Sequence, residues 1–167
     1  DYSGRCIHEA GLKHQVAVSL MGLPPDTKSE GAHSAEFYVE CVKKIVEAGI
    51  PFDSLVFKDA SGTCPPSIVY DTIKETRDIL GKDAVIWFHT HDTAGLGLSC
   101  IIAAIEAGCD GTDLSKSPVS GGTCQPDILG LWHALKGTDY TLDIDYEKIL
   151  KAESVFEKCM ERYMMPP

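Results

Sequence analysis

Several features are missing from this 167-residue sequence, and each absence closes off a class of protein. There is no surplus of positive charge: 15 Lys and Arg stand against 25 Asp and Glu, a formal net charge of −10. A nucleic-acid or anionic-membrane partner needs a basic face, so no nucleic acid is expected among its partners. A cleft lined with cations can still attract a small anionic substrate, so net charge alone does not set the substrate. No apolar run approaches the ~20 residues of a membrane span, and no signal-peptide pattern opens the chain. There is no Cys-x-x-Cys. The seven cysteines (Cys6, Cys41, Cys64, Cys100, Cys109, Cys124, Cys159) are scattered, mostly at apolar positions of predicted helices. That is the pattern of buried free thiols in a reducing compartment, and it predicts a cytoplasmic protein. No Gly-x-Gly-x-x-Gly follows the first predicted strand, which weighs against a dinucleotide-binding fold.

What is present is a 44% hydrophobic chain long enough to bury a substantial core. Residues 1–13 read as the end of a helix, with Cys6, Ile7 and Ala10 on one side and Gly11 as the stop. A chain that opens inside an element suggests further sequence upstream. Gln15 to Met21 is a β-rich apolar run, and Gly22 to His33 a Gly- and Pro-containing loop. Ser34 is placed to cap a helix with Phe37, Tyr38, Cys41, Val42, Ile45 and Val46 on its apolar face, closed by Gly49. Asp53 to Phe57 is the next strand. After it Pro65 and Pro66 open a helix with Ile68, Val69, Thr72, Ile73, Thr76, Ile79 and Leu80 at helical spacing. Ala84 to His91 is almost continuously apolar, as a strand covered on both faces should be, and its helix carries Leu96, Cys100, Ile101, Ala104 and Ile105. Asp110 to Leu114 is a short fourth strand. A helix starting at Pro126 carries Ile128, Leu129, Leu131, Trp132 and Leu135. A last amphipathic helix runs from about Asp145 to Tyr163, with Ile149, Ala152, Phe156, Cys159 and Tyr163 on its face.

This is β-α repeated four times, with the chemistry-bearing residues in the loops that follow the strands, as in parallel α/β folds. An eight-fold barrel typically needs ~250 residues, so four units make about half of one. A doubly wound sheet of four or five strands is the alternative.

His89-Thr90-His91 ends the third strand. In an extended strand the two imidazoles lie on one side with Cβ atoms about 7 Å apart, within reach of one metal ion at roughly 2.1 Å each. Two rim or core histidines without a ligand role fit the same spacing. Lys58 ends the second strand and Asp113 the fourth, so these positions converge on one rim. A lysine buried there as a cation is costly, which favours its neutral form. Neutral lysine reacts with carbon dioxide to give a carbamate, and Lys58, His89 and His91 would then supply an N,N,O set for zinc, manganese or cobalt. The plainer reading pairs Lys58 with Asp59 or another rim carboxylate. Asp59 and Asp92 are either acceptors for imidazole N–H groups or helix caps. Asp113 either packs or supports the site. Ser120-Gly121-Gly122 is either an anion-binding nest or a tight turn.

Three linked motifs carry a resemblance. They are Lys58-Asp59-Ala60-Ser61-Gly62, His89-Thr90-His91-Asp92-Thr93-Ala94-Gly95, and the stretch from Ser117-Pro118-Val119-Ser120-Gly121-Gly122 to Pro126. In order and with compatible spacing they resemble the carboxyltransferase domain of biotin-dependent enzymes, the group of pyruvate carboxylase, the oxaloacetate decarboxylase alpha subunit and transcarboxylase. The resemblance implies an α/β fold: the second half of a (β/α)8 TIM barrel over residues 1–144, with 145–167 a helix leading into a following helical segment. It implies Lys58 as a carbamylated metal-ligating lysine and His89 and His91 as the histidine ligands. It also implies a divalent metal (Zn, Mn or Co), and biotin on a carrier domain outside this chain. The implied reaction moves a carboxyl group between biotin and a 2-oxo acid such as pyruvate or oxaloacetate. The implied partners are a biotin carboxyl carrier domain, biotin carboxylase or decarboxylase-pump subunits, the 2-oxo acid, and further copies in a homo-oligomer.

Two departures accompany it. The family's aspartate ligand and substrate-binding arginine belong to a first half not found here, and its catalytic threonine lies beyond Pro167. The family more often has Met-Ala-Gly where this chain has Ala60-Ser61-Gly62. The chain alone is therefore expected to be inactive. The competing expectations are a metal-dependent aldol-type lyase or synthase of the same barrel superfamily, which has no lysine carbamate, and a non-catalytic scaffold fragment.

Overall fold

The computed structural model describes residues 2–22 and 32–163. Most of the loop expected over 22–33 lies outside the described residues. The elements in chain order are α1 (Tyr2–Glu9), β1 (Gln15–Ser19), α2 (Ala35–Glu47), β2 (Ser54–Asp59), α3 (Pro66–Leu80), β3 (Ile86–Thr90), α4 (Gly97–Glu106), β4 (Gly111–Thr112), α5 (Ile128–Ala134) and α6 (Tyr146–Met160).

The four strands lie in the order β1-β2-β3-β4, all parallel. Each β-α-β crossover therefore steps one strand in the same direction. Right-handed crossovers that never reverse put every helix on one side of the sheet, and α2, α3 and α4 pack against one another there. The doubly wound alternative needs a reversal and helices on both faces, so it does not apply. This is an α/β fold with a parallel sheet, built as four consecutive units of a (β/α)8 barrel.

The core lies between strands and helices. Val18, Leu55, Phe57, Ile86 and Phe88 project from the sheet to meet Tyr38, Val42, Val69, Ile73, Cys100, Ile101 and Ala104, all buried. Local chemistry explains the helix starts. Ser34 Oγ accepts from the Phe37 N–H at 3.2 Å, and Pro66 begins α3, where a missing N–H costs nothing. Asp145 accepts from Lys148 N–H at 3.1 Å.

Five boundaries and faces differ from the expectations. β1 stops at Ser19 rather than Met21, because the chain turns where the Met21 N–H pairs with the Tyr38 hydroxyl. β4 has two residues, not five, and Asp113 lies beyond it. α5 begins at Ile128, since Asp127 Oδ1 caps the Leu129 and Gly130 N–H groups at 2.9 and 3.0 Å and leaves Pro126 outside. On α2, Phe37 and Val46 are exposed and Val39 takes the core position. α6 buries no residue, and of its expected face Ala152, Cys159 and Tyr163 are exposed. It is held by Lys116, whose Nζ lies 4.0 Å from the Phe156 ring centroid, and by Tyr146 against Trp132 at 4.8 Å. Among the described residues no helix is long and apolar enough to cross a membrane.

Candidate functional site

The strand register decides which side chains meet. Ser19, Lys58 and His89 form one row across β1, β2 and β3. Alternation places Lys58 and His89 on the face of the sheet away from the helices and sends Asp59 and Thr90 to the helix-covered face. His91 follows one residue after β3, and its ring returns to the side of His89.

The two imidazoles face each other with Nε2 atoms 3.3 Å apart. Their outer nitrogens are both engaged. His89 Nδ1 lies 2.7 Å from Asp113 Oδ2, and His91 Nδ1 lies 2.7 Å from the Thr123 carbonyl oxygen. An ionised carboxylate and a carbonyl can only accept, so both Nδ1 atoms carry the hydrogen. In neutral rings both Nε2 atoms then present lone pairs to one gap. Two such lone pairs at 3.3 Å are not a hydrogen bond; something electrophilic belongs between them, a proton or a cation. Two nitrogens each bound at roughly 2.1 Å with a tetrahedral angle lie about 3.4 Å apart, so the separation suits a shared metal ion. Hydrogen-bonding the far nitrogen to a carboxylate or carbonyl is also how metal-binding histidines are held. Among the described residues no third His, Cys, Asp or Glu joins this pair, so a complete set needs Lys58 or a group from elsewhere.

Lys58 is the in-register neighbour of His89, but its side chain is exposed. Burial was the premise for a neutral lysine, and these residues do not supply it. Nor is Lys58 paired with Asp59, which faces the other way and is fully buried.

The remaining candidates separate by what they touch. Asp113 holds the ring of His89. Asp92 Oδ1 accepts from the Gly97 N–H at 2.8 Å, at the start of α4, and the Asp92 N–H donates to the Cys124 carbonyl at 2.9 Å. Asp92 is thus a cap, not an imidazole acceptor. Asp59 accepts from the loop after β2 and from Thr90, and from no histidine. Ser120 donates to Asp127 Oδ2 at 2.7 Å, and the Gly121 N–H is taken by the Gln125 carbonyl at 2.9 Å. With that N–H occupied, the Ser120-Gly121-Gly122 segment is a turn that aims Thr123 at His91, not an open anion nest. The Thr123 carbonyl has no signal in the sequence, because every residue has one.

With this geometry in view, a family model described as HMGL-like matches residues 14–155. The chain belongs to the HMGL-like family. Among HMGL-like relatives, it is 34% identical over 133 residues to a pyruvate carboxylase subunit of Methanocaldococcus jannaschii, covering 80% of this chain and 23% of that one. It is 31% identical to the methylmalonyl-CoA carboxyltransferase 5S subunit of Propionibacterium freudenreichii subsp. shermanii, covering 78% and 26%. The carboxyl transferase domain from Rhizobium etli pyruvate carboxylase superimposes over 96% of this chain and 26% of that chain, with a TM-score of 0.83 and 26% identity. A structure of that domain with pyruvate and biocytin gives a TM-score of 0.84. The HMGL-like chain therefore spans about a quarter of the length of these relatives.

Proposed function

We propose that this chain supplies the histidine pair of a metal-dependent, biotin-dependent carboxyltransferase acting on a 2-oxo acid of the pyruvate and oxaloacetate kind. One observation carries the reading: two Nε2 lone pairs converge at 3.3 Å while both Nδ1 atoms are held by acceptors. The donor set fits a divalent ion such as zinc, manganese or cobalt, with His89 and His91 as nitrogen ligands. Lys58, in the same row, is the third candidate. Once neutral, its Nζ adds to carbon dioxide, forms an N–C bond and loses a proton, which gives a carbamate oxygen ligand. When bound, the metal would act as a Lewis acid toward the keto oxygen of the substrate. Asp113 and the Thr123 carbonyl keep the rings turned with Nε2 toward the open face. That face is where a 2-oxo acid and a biotin on its carrier domain would meet, and the carboxyl group would pass between biotin N1 and the carbon beside the keto group. The relatives support this reading: they include pyruvate carboxylases and a carboxyltransferase, and one related domain has been solved with pyruvate and biocytin.

Metal stoichiometry tests it. Elemental analysis of the purified protein after dialysis against Zn²⁺, Mn²⁺ or Co²⁺ should give close to one ion per chain, and His89→Ala or His91→Ala should each remove it. Equal metal content in both variants and the parent would sink the proposal. Lys58→Ala separates this reading from the aldol-type alternative, since only the carbamate site loses affinity with the lysine.

A further inference from the structure

The strand step that puts Lys58 beside His89 on one face puts Asp59 beside Thr90 on the other. Asp59 is fully buried, and among the described residues it has no ion-pair partner. Its Oδ1 accepts from the Ser61 hydroxyl at 2.6 Å and the Gly62 N–H at 2.9 Å. Its Oδ2 accepts from the Cys64 N–H at 3.0 Å and lies 3.3 Å from the Thr90 hydroxyl, which the His91 carbonyl shares at 3.1 Å. A buried carboxylate without a counter-ion is costly unless its lone pairs are filled, and neutral donors fill them here.

The network reaches all three preceding loops. With the Ser61 proton on Asp59, Ser61 Oγ accepts from Thr63 Oγ1 at 2.7 Å, and Thr63 Oγ1 in turn accepts from the Gly22 N–H at 3.1 Å, in the segment after β1. On the other side the His91 N–H donates to the Asp59 carbonyl and the Ala94 N–H to the Gly62 carbonyl, both at 3.3 Å. Gly62, at φ +64°, sits so close that a Cβ there would lie 2.6 Å from the His91 carbonyl oxygen. The loop that Asp59 organises is thus seated directly on the backbone of His91.

We infer that Asp59 is a positioning residue: its carboxylate locks the segments after β1, β2 and β3 into one unit and thereby sets the separation and tilt of His89 and His91. Its consequence for metal affinity rests on the proposed function, but the geometric claim concerns the metal-free rings. Asp59→Asn keeps the size of the side chain while turning one acceptor oxygen into a donor that faces donors, so at least one of these bonds must break.

The experiment compares the parent protein with Asp59→Asn, Ser61→Ala and Thr90→Val. Two-bond ¹H–¹⁵N correlation spectra of the metal-free protein read the ring nitrogens, and titration with Co²⁺ reads affinity and the visible d–d bands. The parent should show both rings protonated at Nδ1. Asp59→Asn should disturb the His91 pattern, weaken Co²⁺ binding roughly 10–100-fold and shift the d–d bands. Ser61→Ala and Thr90→Val, each removing one donor, should move the same signals in the same direction by less, and they carry the test if Asp59→Asn does not fold. Arg77→Lys, at the opposite end of the strands, should lower stability and leave ring signals and Co²⁺ affinity unchanged. Folded variants with parental ring patterns and Co²⁺ affinity within about twofold would overturn the inference. If the parent binds no Co²⁺ while the His91 pattern still responds to Asp59→Asn, the metal reading falls and the positioning role stands.

Discussion

On the helix-covered face of the sheet, Leu55, Phe57, Asp59, Ile86, Phe88 and Thr90 are all buried, whereas on the opposite face Gln15, Ala17, Ser19 and Lys58 are exposed and Val56, Trp87 and His89 half-buried. Neighbouring residues on one strand therefore do different work. The covered face carries the apolar burial that holds the four units together. The open face carries small and polar groups, and its one large ring, Trp87, lies over Gly111, where a Cβ would approach the indole to 2.8 Å. The candidate chemistry stands on the open face and the scaffolding of that chemistry on the covered one. Asp59 and Thr90 belong to the second group although each adjoins a candidate ligand.

The sharpest way to break this contrast is to truncate neighbours on β2. Phe57→Ala should cost about 3–5 kcal/mol and Val56→Ala less than about 1 kcal/mol, measured by urea denaturation. Similar losses at both positions would mean that something covers the open face in solution. Next in size is Arg77, whose guanidinium bonds the Gly81, Ala84 and Gly108 carbonyls and pairs with Asp110. It ties the ends of α3 and α4 to the start of β3, so Arg77→Ala should cost about 2–4 kcal/mol without altering the His89–His91 pair.

The covered face should also set the alkaline limit. Burial pushes the Cys64 and Cys100 thiols from 9.0 up to about 12. In the window between those values the unfolded chain has lost these protons while the folded one keeps them. Stability is therefore intact below pH about 9 and falls as the pH rises toward 12. Denaturation midpoints across that range check the slope, and Cys64→Ala should flatten it. Iodoacetamide should meanwhile label exposed Cys159 first and the two buried thiols last. The smallest effect is a gain. The Thr72 and Thr76 hydroxyls are buried without hydrogen-bond partners, so Thr76→Val should stabilise by about 1 kcal/mol. A loss instead would point to a partner such as a bridging water.

Much of the fold was legible because periodicity reports burial directly. α3 and α4 follow their apolar spacing, and the stops and caps at Ser34, Asp145 and Gly81 are local chemistry. The errors share a cause. α2 is rotated relative to its apolar pattern, and α6 buries nothing despite an amphipathic sequence, because what a face meets is not a property of the helix that bears it. At the site, the same-side arrangement of His89 and His91 follows from strand alternation. Asp59, Asp92 and Asp113 looked equivalent by sequence, each beside or at a candidate position. Only Asp113 touches an imidazole; the other two serve backbone N–H groups, and no pattern in the residues separates these fates.

By itself, then, the sequence determined the four-fold β-α order, the family, and the residue types gathered at one rim, because these depend on local periodicity and on short motifs. Tertiary structure alone decided the row of Ser19, Lys58 and His89, the Thr123 carbonyl that turns His91, and the burial of Asp59 beneath the histidine pair. Those relations depend on inter-strand register and loop closure, which are set by contacts between residues far apart in the chain.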